Sequence, residues 1–399
     1  MPHSRTNTDG RPLHFAMIGT RGVPATYGGF ETAVEEIGAR LVELGNEVTV
    51  YCRTADTSLK HYRGMALVHL PALKLKAAET LSHSALSVGH LTFSRRPDVA
   101  FVFNAANAPF VPWLRTLGIP TAVHVDGLEW MRAKWQGLGR RYYRLVEKLA
   151  VMWSDALIAD AQGIADYYDR TFAAPTELLT YGTRILTDVG SSRIGELGLE
   201  PGRYHLVVAR FEPENHVDII VDAYSRSAST LPLIVVGSAP YAAAYTHKIT
   251  GLAEGDPRIR LLGGVWDQVQ LDELYANALT YVHGHSVGGT NPSLLRAMGG
   301  GTSVLAYDIE FNREVLGDEA GFFGSVSSLT HQFDEAESDP DRHAAVGLRL
   351  QRRAHNNYDW NAVADGYEEL GRRLAAGYSI RASRPNRTTT RTDTTPRLP

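Results

Sequence analysis

The 399-residue chain reads as an α/β protein of two doubly wound domains in tandem. Three observations predict this. At roughly 100–200 residues per domain the length fits two cores. Two separate series of short apolar runs alternate with helical or polar sequence, the pattern of parallel sheets covered on both faces. Between the series lies a stretch rich in Gly, Ser and short polar residues, Leu186 to Arg203, ending in Pro201-Gly202. Domain boundaries follow: a first domain over 12–185, a linker over 186–203 and a second domain over 204–376.

The first domain opens with a strand at His14–Ile18, then the turn-forming Gly19-Thr-Arg-Gly-Val-Pro24 and Gly28-Gly29. A helix from Phe30 to Leu44 follows, because Ala33, Val34, Ile37, Leu41 and Leu44 recur at helical spacing and Gly45-Asn46 stops it. Further strands are expected at Glu47–Tyr51, Ala66–Leu70, Val99–Phe103, Thr121–Val125 and Ala156–Ala159. The second series comprises His205–Ala209, Leu233–Val236, Ile259–Leu262, Leu279–Val282 and Ser303–Ala306, with a last helix able to pack back on the first domain. Residues 377–399 contain Pro, Thr and Arg but almost no apolar side chains, so a disordered tail is expected there.

Composition removes several function classes. Lys+Arg (40) fall short of Asp+Glu (44), for a net charge of -4, which argues against a nucleic-acid partner. The single cysteine, Cys52, excludes an intramolecular disulfide framework and multi-cysteine metal sites. The first dozen residues are polar and no run approaches the roughly 18 apolar residues of a membrane span. A cytoplasmic protein is the expectation.

Two doubly wound domains place the carboxyl ends of two sheets across one cleft, where such folds hold nucleotide-type ligands. A nicotinamide enzyme fits poorly, since Gly19 to Pro24 lacks the dinucleotide glycine spacing and the second strand ends Tyr51-Cys52-Arg53 without the ribose-binding acid. Metal chemistry is also unsupported: Asp339-Pro340-Asp341 does not close an apolar strand, and His283 and His285 lack a third ligand nearby. The densest unusual segment is His283-Gly-His-Ser-Val-Gly-Gly-Thr-Asn-Pro-Ser-Leu-Leu-Arg-Ala-Met298. Asn291 is placed to cap a helix with Pro292 in its first turn, and Gly288-Gly289 allow close backbone approach. The free amides there suit a phosphate, and a plain capped helix after a tight turn is the alternative.

Gly19 to Thr32, Val125-Asp-Gly-Leu-Glu-Trp130 with Arg132-Ala-Lys-Trp135, Ala209-Arg-Phe-Glu-Pro-Glu-Asn215, His283 to Met298 and Asn312-Arg-Glu-Val315 occur in order along the chain. In this the chain resembles the rhamnosyltransferase-like branch of glycosyltransferase family four. The resemblance implies the GT-B fold, two Rossmann-like domains facing a central cleft, and a retaining, metal-independent hexosyltransferase without a cofactor. Its donor substrate would be a nucleotide diphosphate sugar and its acceptor a saccharide or lipid-linked glycan of cell-surface polysaccharide synthesis. The implied catalytic groups are Asp126 and Arg210, and the implied donor-binding set is Gly28, Gly29, Arg210, Asn215, His285, Gly289, Thr290, Asn291, Ser293 and Arg296.

Arg210, directly after a strand, matches the family's diphosphate-binding arginine, whose planar fork suits phosphate oxygens. Asn215 stands where most of the family has lysine, so one cation is missing. Two family glutamates align with Gly288 and Arg296, and an arginine cannot accept ribose hydroxyl protons. Arg296 therefore either contacts phosphate or lies on the solvated side of its helix. Asp126 takes the position of a family histidine facing the sugar, or it is a turn acid before Gly127. The stretch Arg132 to Trp153 mixes Arg and Lys with Trp and Tyr, which suits peripheral contact with the inner membrane face. A core-facing helix built on Tyr142, Leu145, Val146, Leu149 and Trp153 is the other reading. Two further alternatives stand beside transfer: a non-catalytic nucleotide-sugar-binding scaffold of a glycan assembly complex, and a GT-B sugar-nucleotide epimerase.

Overall fold

The computed structural model describes residues 11–25, 28–53, 58–73, 78–125, 127–132, 137–238 and 242–381. Two sheets form. The first runs in the order β3-β4-β2-β1-β5-β6-β7-β8, with β1 at His14–Ile18, β2 at Glu47–Cys52, β3 at His61–Tyr62, β4 at Met65–His69, β5 at Val99–Phe103, β6 at Thr121–His124, β7 at Ala156–Ala159 and β8 at Glu177–Leu178. All pairings are parallel except β3 with β4. The second runs β11-β10-β9-β12-β13-β14, wholly parallel, with β9 at His205–Val208, β10 at Leu233–Val236, β11 at Ile259–Gly263, β12 at Thr280–His283, β13 at Ser303–Tyr307 and β14 at Gly321–Phe323.

The strand order reverses beside β1 in one domain and beside β9 in the other, so each domain opens a crevice at the carboxyl end of its first strand. Alternate residues explain how the sheets are covered. Phe15, Met17, Phe101 and Ile158 enter one apolar cluster, whereas Ala16, Ile18, Val102 and Leu157 enter a second on the opposite face. The first cluster continues through Tyr181, Trp360 and Tyr367 to Leu206, Ile234, Tyr281 and Val304 of the second sheet.

The helix Trp360–Ala375 accounts for that continuity. It follows the second domain in sequence yet packs on the first: Arg40 Nε donates to Asn361 Oδ1 at 2.9 Å, Asn46 Nδ2 donates to Glu368 Oε1 at 3.1 Å, and Gly371 lies against the Phe15 ring. Residues 186–203 are likewise docked, since Glu273 of the second domain accepts from the backbone N–H of Arg193 (2.7 Å) and Ile194 (3.1 Å).

Two expectations need correction. Residues 377–381, assigned to a disordered tail, are ordered: Ile380 is 2% exposed, its N–H donates to the Asp155 carbonyl at 2.8 Å, and Ser379 Oγ and Arg381 both reach the Asp155 carboxylate. The remainder of that stretch, 382–399, lies outside the described residues. In the helix Leu138–Trp153, Val146, Ala150 and Val151 are buried but Leu145 is 52% exposed, so the core-facing stripe omits it. Among the described residues no helix is long and apolar enough to cross a membrane.

Candidate functional site

The second domain's side of the cleft is built from the turns that follow β9 and β12. Arg210 stands two residues beyond β9, one-third exposed, with Nη2 3.5 Å from Glu212 Oε2. Asn215 is buried beneath it, and its Nδ2 donates to the Arg210 carbonyl at 2.8 Å. Its amide therefore braces the arginine's turn, a different role from the donor contact expected of it. The β12 turn is fastened alongside: the Glu214 carbonyl accepts from the N–H (2.9 Å) and Oγ (3.0 Å) of Ser286, and His216 Nδ1 pairs with the Gly284 carbonyl at 2.8 Å.

His285 lies in this turn, stacked on His283 with ring centroids 4.4 Å apart. Burial lowers the His283 imidazole to about 3. His285 is pushed well below the ordinary value, first by burial and then by His283, Arg210, Arg132 and His216. Both rings are thus neutral near pH 7, and His285 Nδ1 is buried without a protein partner.

Gly288, with φ +123°, and Gly289 carry the chain to the helix Pro292–Gly299. No Cβ fits at Gly289, because the Asp160 carboxylate fills that space. Asn291 accepts from Ser293 N–H at 2.9 Å, so these two residues form the helix cap. Thr290 Oγ1 donates to the Asp160 carbonyl across the cleft at 2.5 Å. Gly29, which begins the helix Gly29–Glu43 after Gly28, lies against Pro292, 2.8 Å from a Cβ position to its Cγ.

Arg296 takes neither expected position. Its Nε donates to Asp272 Oδ1 at 2.8 Å, its Nη1 to Gln268 Oε1 at 3.0 Å and its Nη2 to the Gln268 carbonyl at 3.1 Å, with the guanidinium over the Tyr275 ring. The neighbouring helix Gln268–Ala276 thereby claims its whole fork. Asp126 lies outside the described residues. Its neighbour Gly127 faces the second domain, with its Cβ position 3.2 Å from Gly288 Cα.

Three first-domain or interdomain groups escaped sequence reasoning. Asp160 directly follows β7, the same position that singled out Arg210 after its strand, and that signal could have found it. Its carboxyl is raised to about 7, chiefly by burial, with Glu314 adding to the rise and the N–H groups of Asp160 and Thr290 and the charge of Arg132 opposing it. Its Oδ1 is buried without a hydrogen-bond partner. Glu314, from the second domain, accepts from the N–H groups of Gln162 (2.6 Å) and Gly163 (3.1 Å), capping the helix Gln162–Phe172 of the first. Arg132, quoted above only as part of a motif, sits 4.0 Å by Nη2 from the Cβ position of Gly288. Among the described residues no group of three or more His, Cys, Asp or Glu side chains is arranged to hold a metal ion.

Two family models match this chain. Residues 13–184 match a family model described as a domain of unknown function, DUF1972, and residues 195–352 match the model for glycosyl transferases group 1. The chain is 25% identical to alpha-maltose-1-phosphate synthase of Mycolicibacterium smegmatis, over 91% of this chain and 100% of that protein. Its structure is similar to sucrose-phosphate synthase of Thermosynechococcus elongatus (TM-score 0.79, 20% identity, 91% and 99% of the two chains). It is also similar to Anabaena HepE in complex with UDP-glucose (TM-score 0.72, 15% identity, 90% and 100%). The chain therefore has the two-domain GT-B fold, and residues 195–352 of it match the glycosyl transferases group 1 model.

Proposed function

We propose that the protein is a retaining, metal-independent glycosyltransferase that moves a sugar, rhamnose by its sequence resemblance, from a nucleotide diphosphate sugar to a lipid-linked saccharide acceptor in cell-surface polysaccharide synthesis. One observation carries the reading. Arg210 acts on the neutral His285, and the Gly288–Thr290 turn that follows His285 lies against Gly127 and Asp160 of the first domain, so a guanidinium, an imidazole and a glycine turn are gathered at the domain boundary. Departure of a nucleoside diphosphate leaves negative charge at the sugar, and fixed donors of this kind stabilise that charge without reorganising. The relatives named for sugar-phosphate synthesis and for a UDP-glucose complex support a nucleotide-sugar donor.

The lipid-linked acceptor draws support from the helix Leu138–Trp153. Its exposed residues are Leu138, Arg140, Arg141, Arg144, Leu145, Lys148 and Met152, while its acid, Glu147, is buried. Leu138, Leu145 and Met152 are spaced by seven and stand nearly one above another, with the cations beside them. Such a face suits an anionic bilayer, although the chain as a whole is acidic.

Purified protein incubated with a panel of nucleotide sugars and with free or lipid-linked saccharides tests the proposal, following nucleoside diphosphate release and glycosylated product with and without chelator. Product that persists in chelator and retains the donor's anomeric configuration supports it. Donor binding without turnover replaces it with a nucleotide-sugar-binding scaffold, and acceptor-independent change of the sugar replaces it with an epimerase.

A further inference from the structure

We infer that Arg132, from the first domain, is a second cationic ligand of the donor diphosphate, facing Arg210 across the cleft. This rests on the nucleotide-diphosphate-sugar reading above.

The charge requirement comes first. A diphosphate carries two or more negative charges, and Arg210 is one cation that already shares its fork with Glu212 at 3.5 Å. Neighbouring side chains of the second domain are committed elsewhere. Asn215 is neutral and holds the Arg210 carbonyl, Arg296 is bound by Asp272 and Gln268, and Arg313 makes paired contacts with Asp308 at 2.6 and 2.9 Å. None of these three described residues supplies a second cation, and the facing domain offers one.

Arg132 is placed to be that cation. It follows the short 3-10 turn Glu129–Met131, and its side chain is only 18% exposed although it reaches the domain boundary. Glu129 Oε1 lies 2.7 Å from its Nε, which anchors the base of the fork. The outer nitrogen Nη2 then lies over Gly288, 4.0 Å from where a Cβ would be. The missing side chains at Gly288 and at Gly127, whose Cβ position is 3.2 Å from Gly288 Cα, let the two domains approach this closely.

The electrostatics locate the same point independently. The charges of Arg132 and Arg210 both act on His285, one from each domain. That imidazole has a buried Nδ1 with no protein partner, a polar atom on a ring that both guanidiniums influence. Two planar forks and a neutral ring around a glycine turn form a receptor for paired phosphate groups more than for a single neutral sugar. The two arginines belong to different domains, so the diphosphate bridges them and favours the closed cleft.

Isothermal titration of UDP, dTDP, GDP and ADP, and of the matching monophosphates, into the full chain and its Arg132→Ala, Arg132→Lys and Arg210→Ala variants tests the assignment. Thermal melts confirm that each variant folds. The expected result is that Arg132→Ala weakens the preferred nucleoside diphosphate about tenfold or more, the scale of a lost charge-assisted contact. The monophosphate should change less than about twofold, and Arg132→Lys should recover part of the loss. Unchanged diphosphate affinity in Arg132→Ala, with loss in Arg210→Ala, overturns the assignment and leaves the donor reading standing. Equal losses for mono- and diphosphate overturn it in favour of a structural role. If the unaltered chain binds no nucleoside diphosphate, the donor reading fails and the assignment fails with it.

Discussion

The two sides of the cleft are constructed differently. On the second domain, the turns after β9 and β12 are fastened to each other by hydrogen bonds to backbone carbonyls, from the Ser286 N–H and Oγ to Glu214 and from the His216 ring to Gly284, so Arg210 and His285 are positioned before anything binds. On the first domain, Arg132 is anchored by Glu129, but it and Asp160 complete their surroundings with Gly288, Gly289 and Thr290 of the other domain. One side is preorganised by its own fold, and the other is completed by closure. A substitution on the second domain should therefore act on chemistry, and one on the first domain should act on the closed state.

The largest expected effect is on the preorganised side. Arg210→Ala should lower turnover at least about a hundredfold while the melting temperature stays within a few degrees, since a fixed donor to a developing anion contributes ~2.7–4 kcal/mol. Steady-state kinetics beside a thermal melt check it, and a near-native rate would transfer the leaving-group role to other residues.

On the closing side, Asp160→Asn should act through pH. The Asp160 carboxyl is raised from the ordinary 3.8 to about 7 in the folded chain. The unfolded chain releases that proton first as pH rises, so stability is full below about pH 4 and is lost progressively up to about pH 7. The asparagine variant lacks this ionisation, and its melting temperature relative to the parent should climb between pH 4 and 7 and level off above. A constant difference across that range would show that the carboxyl is not the proton-linked group at the interface.

How far the sequence carried this picture depends on where each signal resides. Long buried strands are legible because a parallel strand covered on both faces is a continuous apolar run, as at Val99–Phe103 or Leu233–Val236. Strands β3, β8 and β14 are two or three residues long and exist through pairing with a neighbour, which no local pattern encodes. Arg210 stood out as a cation directly after such a run. The partners that decide Arg296 lie on the adjacent helix, 24 and 28 residues away, and Ile380 sits in a mostly polar stretch yet is buried in an apolar cluster of the first domain, with its N–H on Asp155 more than 200 residues earlier. Leu145 has correct helical spacing, yet spacing alone does not say how wide a stripe the neighbouring elements cover.

The docked end of the chain distinguishes the two domains again, because it belongs to the second in sequence and to the first in contact. Deleting 382–399 should leave the melting temperature unchanged. Deleting 377–399 removes the Ile380 burial and the Ser379 and Arg381 contacts to Asp155, and should cost about 2 kcal/mol, a drop of several degrees. Equal melting of both truncations would mean that the Asp155 contacts contribute nothing.

The smallest effect tests whether the preorganised side extends to the helix after Thr290. In place of Arg296, a glutamate would face Asp272, lose the bonds to Gln268 and leave the Tyr275 ring without its cation. Both members of the ion pair are about one-quarter exposed, so solvent screens the repulsion and the loss should be near ~1 kcal/mol. Arg296→Glu should therefore lower the melting temperature by a few degrees and change nucleoside diphosphate affinity less than about twofold. Adding Asp272→Arg restores an ion pair of reversed polarity and should recover most of the stability. Tighter nucleotide binding by the single variant would mean that this position reaches the ribose once the arginine is gone. In that case the donor site is wider than the turns after β9 and β12, and the contact with Asp272 holds the arginine out of it.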